Sequence, residues 1–220
     1  STQGYSSAAS DVYKRQVLAP FEKAGYQLKF YELDQDLHSI FDTSVIDEIS
    51  VLSLCGYYGF CNYDHDFVKA CKEKGVVIFE DVTHSMLSAD GIDPLCDYFA
   101  GSFRKWMGID CGGFAVKRNG TFETPLLQVE PTHLKQRKEY YETGDDDIFW
   151  EGELRLRQMF DCFAGDDNSE YILRHADFDS ICRTRRENYA ALLDALTAPL
   201  HGVQPDFPEP VSYTHLTLPT

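Results

Sequence analysis

The chain has 220 residues, and its 36 Asp and Glu outweigh 20 Lys and Arg, leaving a formal net charge of −16. That excludes nucleic-acid binding by phosphate neutralisation, which needs clustered positive charge. An apolar fraction of 43% with 14% aromatics is enough to build a core and excludes global disorder.

Residues 7–16, SAASDVYKRQ, and 211–220, VSYTHLTLPT, continue no pattern of their neighbours. Residues 1–16 and 211–220 are therefore read as non-native ends, and the native part as an internal piece of a longer protein running from Val17 to Pro210. No apolar run approaches the length of a membrane span, and no basic segment leads into an apolar one, so a soluble cytoplasmic protein is expected. The seven cysteines, Cys55, Cys61, Cys71, Cys96, Cys111, Cys162 and Cys182, are widely spaced and include no C-x-x-C pair. They predict reduced thiols, with neither a disulfide framework nor a zinc site.

Gln27 to Leu33 alternates polar and apolar residues after Gly25 and predicts a strand. Val45, Ile46 and Ile49 suit a short helix, and Val51 to Leu54 a buried strand stopped at Cys55-Gly56. From Asp64 a helix is expected that faces inward through Phe67, Val68 and Cys71 and ends at Gly75. Val76 to Phe79 is too apolar for a half-exposed strand and too short for a helix, which predicts the centre of a parallel sheet. Asp97 to Ser102 and Gly112 to Val116 read as two further strands, which together with the helix give a layered α/β domain.

Asp145, Asp146 and Asp147 lack the spaced ligands of a calcium loop and read as a solvated loop before a helix near Ile148, so no metal site is expected. Phe178, Ile181, Cys182, Tyr189, Leu192, Leu193 and Leu196 predict a long amphipathic helix packed on the main domain, with Arg183, Arg185 and Arg186 off its apolar stripe. Pro205, Pro208 and Pro210 then read as a linker.

Open α/β sheets bind ligands just beyond the carboxyl ends of their strands. After Val76 to Phe79 come Glu80, Asp81, Val82, Thr83, His84 and Ser85; after the next strand come Ser102, Phe103, Arg104 and Lys105. An acid, an imidazole, a hydroxyl and two cations are thus expected on one rim. Nucleotide binding has no support here, since neither G-x-G-x-x-G nor a phosphate-loop G-x-x-x-x-G-K is present.

The segments from Ile78 to Ser85, from Asp97 to Lys105 and from Gly112 to Phe114 resemble the core of the fold type I pyridoxal-phosphate enzymes, and most nearly the DegT/DnrJ/EryC1/StrS aminotransferases. Val17 to Phe21 with Gly25, the stretch Tyr31 to Asp34, and Tyr58-Gly59 sit where that family places comparable segments, so the similarity spans Val17 to Val116. The resemblance implies a three-layer α/β/α major domain with a mainly parallel sheet, left incomplete over 17–165, then a long helix and linker over 166–210 leading toward a small domain. It places the family's phosphate-binding loop upstream of Val17.

By the same resemblance, Lys105 carries the cofactor aldehyde and shuttles a proton, and Asp81 supports the protonated ring nitrogen. His84 contacts the ring hydroxyl, while Ser102 and Arg104 hold the phosphate. Gly112 and Gly113 let the backbone pass close by. The implied reaction moves an amino group from an amino-acid donor to a keto group of a small-molecule substrate, sugars included, in a homodimer when full length. Lysine at position 105 argues against the dehydratase offshoot, which carries histidine there. The interval from Ser102 to Lys105 is shorter than sugar aminotransferases usually have, so the resemblance does not fix a nucleotide-sugar substrate. Two alternatives stay open: another fold type I enzyme, such as a lyase or desulfurase, and a non-catalytic binding module without the cofactor.

Overall fold

A computed structural model describes residues 17–61, 63–88 and 91–197, with the side chains of 157, 196 and 197 excepted. The ends expected to be non-native, together with Pro205, Pro208 and Pro210, lie outside the described residues. In chain order, a helical stretch over 17–23 precedes two short strands, β1 (Glu32–Leu33) and β2 (Ser39–Ile40). Next come β3 (Val51–Cys55), α1 (His65–Glu73), β4 (Val77–Asp81), β5 (Tyr98–Ser102) and β6 (Gly113–Lys117). The chain continues through α2 (Pro131–Thr143), α3 (Asp146–Gln158), α4 (Asp167–His175) and α5 (Phe178–Thr197). These elements fall into two compact units. One ends at Phe30 and resumes over Thr124–Ala164; the other spans Tyr31–Glu123 and continues from Gly165.

The larger unit holds a four-stranded sheet in the order β3-β4-β5-β6, parallel across β3-β4 and β4-β5 and antiparallel across β5-β6. The architecture is α/β with a mixed, mostly parallel sheet. A parallel crossover from β3 to β4 requires a covering element, and α1 supplies it. Asp64 caps that helix by accepting from the backbone N–H of Asp66 and Phe67. Gly75, at φ 81°, lets the chain turn directly into β4. Phe67, Val68 and Cys71 are buried against Leu54 and Ile78, and each such side chain contributes about 2 kcal/mol of transfer free energy.

Several expectations change. Gln27 to Leu33 is not one strand: only Glu32 and Leu33 pair, with Ile40 and Ser39, because alternation alone does not satisfy backbone groups that lack a neighbouring strand. The Val76 to Phe79 run lies at the centre of the sheet as expected but is not equally buried on both faces. Ile78 is 0% exposed and Val77 37% exposed. Arg185 lies on the inward stripe of α5, not off it: Phe178, Ile181, Cys182, Arg185 and Tyr189 are all half-buried, whereas Leu192 is exposed.

In the smaller unit, α2 and α3 pack as a helical pair turned at Gly144. Tyr140 meets Phe149 at 5.1 Å between ring centroids, and Arg137 bonds Glu153 at 3.2 Å. Asp145 is the N-cap of α3, and Asp146 and Asp147 form its first turn rather than a loop, which favours the positive end of the helix dipole. No disulfide joins the seven cysteines, all of which fall among the described residues. Among the described residues no helix is long and apolar enough to cross a membrane.

Candidate functional site

β4 and β5 run parallel and end at Asp81 and Ser102, so the turns that follow them open at the same edge of the sheet. Registered partners project from the same face of a sheet. Cys55, Asp81, Ala100 and Ala115 therefore form one row across all four strands. Within that row the carboxylate is flanked by Cys55 and Ala100, both small side chains. Asp81 is 8% exposed, and its Oδ1 accepts from the Thr83 backbone N–H at 3.0 Å.

The turn after β4 winds on itself, with Ser85 N–H and Met86 N–H both donating to the Val82 carbonyl. It carries His84, whose ring stacks on Tyr58 at 6.2 Å between centroids and 22° between planes. Tyr58 comes from the turn after β3 and has φ 57°, a conformation bulky residues rarely adopt unless their surroundings impose it. The Ser88 hydroxyl helps hold that turn by donating to the Gly59 carbonyl at 3.0 Å.

β5 passes at once into a 3-10 turn over Phe103–Lys105. With three residues per turn, Ser102 and Lys105 share a side; Arg104 is half-buried between them and Lys105 is exposed. Gly112 gives the close approach expected of it. A Cβ there would stand 2.8 Å from Ile109 Cδ1 and 3.2 Å from the Arg104 nitrogen, while its carbonyl accepts from Phe103 N–H at 2.8 Å. Gly113 does not share that role, since a Cβ built on it would meet nothing. All five predicted site residues, Asp81, His84, Ser102, Arg104 and Lys105, thus sit on the carboxyl edge of β4 and β5.

Sequence reasoning did not single out what joins the two turns. Trp106 is 4% exposed and donates through Nε1 to the Thr83 carbonyl at 2.9 Å. From α5, Arg185 donates to the Lys105 carbonyl at 2.6 Å and lays its guanidinium 4.8 Å from the centre of the Trp106 ring. The available signals were Trp106's place beside the lysine and Arg185's helical spacing with Phe178 and Cys182.

Beneath this edge, on the α1 side, Glu80 is 0% exposed. Its Oε1 accepts from the Tyr63 hydroxyl at 3.1 Å, and its Oε2 from the Asp93 backbone N–H at 2.8 Å. Burial pushes the Glu80 carboxyl up to about 7, the nearby Asp93 carboxylate adding to the rise and the two hydrogen bonds opposing it. Asp93 in turn meets Nδ1 of His65 at 2.9 Å.

One group among the described residues brings metal-capable atoms together, Asp34, Asp36 and His38, within 4.8 Å of one another. All three are exposed, and their contacts close the β1-β2 turn: Asp34 accepts from the backbone N–H of Asp36 and His38.

No family model, curated protein or solved structure matches the chain.

Proposed function

We propose that the chain carries the cofactor-binding edge of a pyridoxal-phosphate-dependent aminotransferase of the DegT type, with the fold type I major domain as its architecture. The observation that supports this most is the placement of Asp81 and Lys105. A buried acid ends one parallel strand, an exposed lysine follows its neighbour, and Cys55 and Ala100 flank the acid in its row. When bound, pyridoxal phosphate supplies an electron sink for the bonds at the substrate's amino-bearing carbon.

The chain's own groups then divide the remaining work. Asp81, out of water and fixed by Thr83 N–H, favours a proton on the ring nitrogen, because an opposed negative charge stabilises the cationic form. Lys105 presents its amine to solvent on a short turn, where it can hold the cofactor aldehyde and afterwards carry a proton to or from the substrate carbon. His84, stacked on the Tyr58 ring, would contact the ring hydroxyl, and Ser102 and Arg104 would hold the phosphate. The acceptor is a keto compound, the donor an amino acid, and the working form a homodimer.

The test is direct. The purified protein is incubated with pyridoxal 5'-phosphate, reduced with borohydride and mapped by peptide mass. A visible band and label on Lys105, both lost in Lys105→Ala, are expected. Label confined to another lysine would overturn the assignment, and a colourless protein would favour a binding module that lacks the cofactor.

A further inference from the structure

We infer that Arg185 is a positioning residue for Lys105, acting from α5 to fix the lysine-bearing turn against the aspartate-bearing one. The inference rests on the reading of Lys105 as the lysine that holds the cofactor. It deepens that reading by assigning a role to a helix outside the sheet.

Backbone carbonyls at the end of a helical turn lack partners within the helix, and a cation beside them is favourable. The Lys105 carbonyl is such a group, and the Arg185 guanidinium donates to it at 2.6 Å. The same planar group lies 4.8 Å from the centre of the Trp106 ring, within cation-π range. The indole cannot swing away without losing its own bond to the Thr83 carbonyl. Thr83 is in turn held through its N–H by Asp81 Oδ1.

A continuous path of contacts therefore runs from the Asp81 carboxylate through Thr83 and Trp106 to Arg185 and back to the Lys105 main chain. Successive inward residues of α5 seat the helix on this edge: Phe178 meets the Phe103 ring at 5.9 Å, and the Cys182 thiol lies 4.0 Å from the Leu87 carbonyl oxygen. Arginine suits the position because a flat, forked cation can stack and donate at once, which a lysine ammonium cannot.

The probe is pyridoxal 5'-phosphate itself, added to the wild-type chain and to Arg185→Met, Arg185→Lys and Tyr140→Leu. The readouts are affinity by titration of the visible band, the pH midpoint of that band, borohydride labelling at Lys105, and thermal stability. Arg185→Met is expected to bind about tenfold more weakly, the scale of one lost charge-assisted bond, and to shift the pH midpoint. Arg185→Lys should fall between it and wild type. Tyr140→Leu, which removes the Tyr140–Phe149 ring contact of the smaller unit and touches neither turn, should lose thermal stability and keep the midpoint.

Wild-type affinity and midpoint in both Arg185 variants would overturn the inference while leaving the reading of Lys105 intact. Should Arg185→Met not fold, wild-type values in Arg185→Lys alone would do the same. Absence of label on Lys105 in the wild-type chain would instead bring down the proposed function, and this inference with it.

Discussion

The indole N–H of Trp106 donates to the main-chain carbonyl of Thr83 at 2.9 Å, tying the turn after β5 to the turn after β4. Both groups are buried, so a deletion leaves the carbonyl without this donor in a place water does not readily reach. Trp106→Phe keeps most of the packing and should cost about 1–3 kcal/mol, the penalty for one unsatisfied buried polar group. Trp106→Ala adds a cavity and should cost about 3–5 kcal/mol. Urea denaturation of the three proteins measures both; equal midpoints for wild type and Trp106→Phe would show that the bond does not matter to stability.

Glu80 should make the fold less stable as pH rises. Its carboxyl is raised to about 7 in the folded chain by burial, whereas an unfolded glutamate titrates near its ordinary value of about 4.3. The folded state therefore holds the proton more tightly. The stabilisation is complete below the unfolded value and is lost as pH climbs toward and through 7. At about 1.4 kcal/mol for each pH unit of difference, the full loss is on the order of 4 kcal/mol. Glu80→Gln retains polar atoms for Tyr63 and Asp93 but does not titrate. Denaturation at pH 5 and pH 8 should show a fall in wild type that is largely absent in the variant; parallel falls would remove Glu80 as the cause.

Asp81→Asn separates charge from structure. The amide oxygen can still accept from Thr83 N–H, so stability should fall by no more than about 1 kcal/mol, the centre of the range for single substitutions. The negative charge is gone, and retention of pyridoxal 5'-phosphate through dialysis should drop about tenfold or more if the acid supports the ring nitrogen. Unchanged retention would place that support elsewhere.

Gly91 lies where no side chain fits. A Cβ there would be 1.8 Å from the Ser85 carbonyl oxygen, a main-chain atom that cannot swing aside. Gly91→Ala should therefore cost about 1–3 kcal/mol or more. Gly108→Ala, whose Cβ would meet nothing, should be neutral or gain about 0.4–1 kcal/mol by restricting the unfolded chain. Thermal denaturation of the pair decides it, and similar losses at both positions would contradict the steric account.

Much of the larger unit was legible along the chain because its signals are local. Asp64, the Phe67-Val68-Cys71 spacing and Gly75 announce α1 from start to stop, and the brief apolar runs mark β3 and β4. The order of acid, imidazole, hydroxyl and lysine after those runs was equally readable, since it depends only on where each strand ends. Tertiary structure alone decided which neighbours those groups acquire. Gln27 to Leu33 has the alternation of a strand, but pairing needs a partner edge, and only its last two residues find one. Arg185 has the charge of a surface residue, yet packing turns it inward onto Trp106 and the Lys105 carbonyl, 80 positions away in sequence. Helical and strand periods are written into consecutive residues; a hydrogen bond between distant turns exists only once the sheet has set those turns side by side.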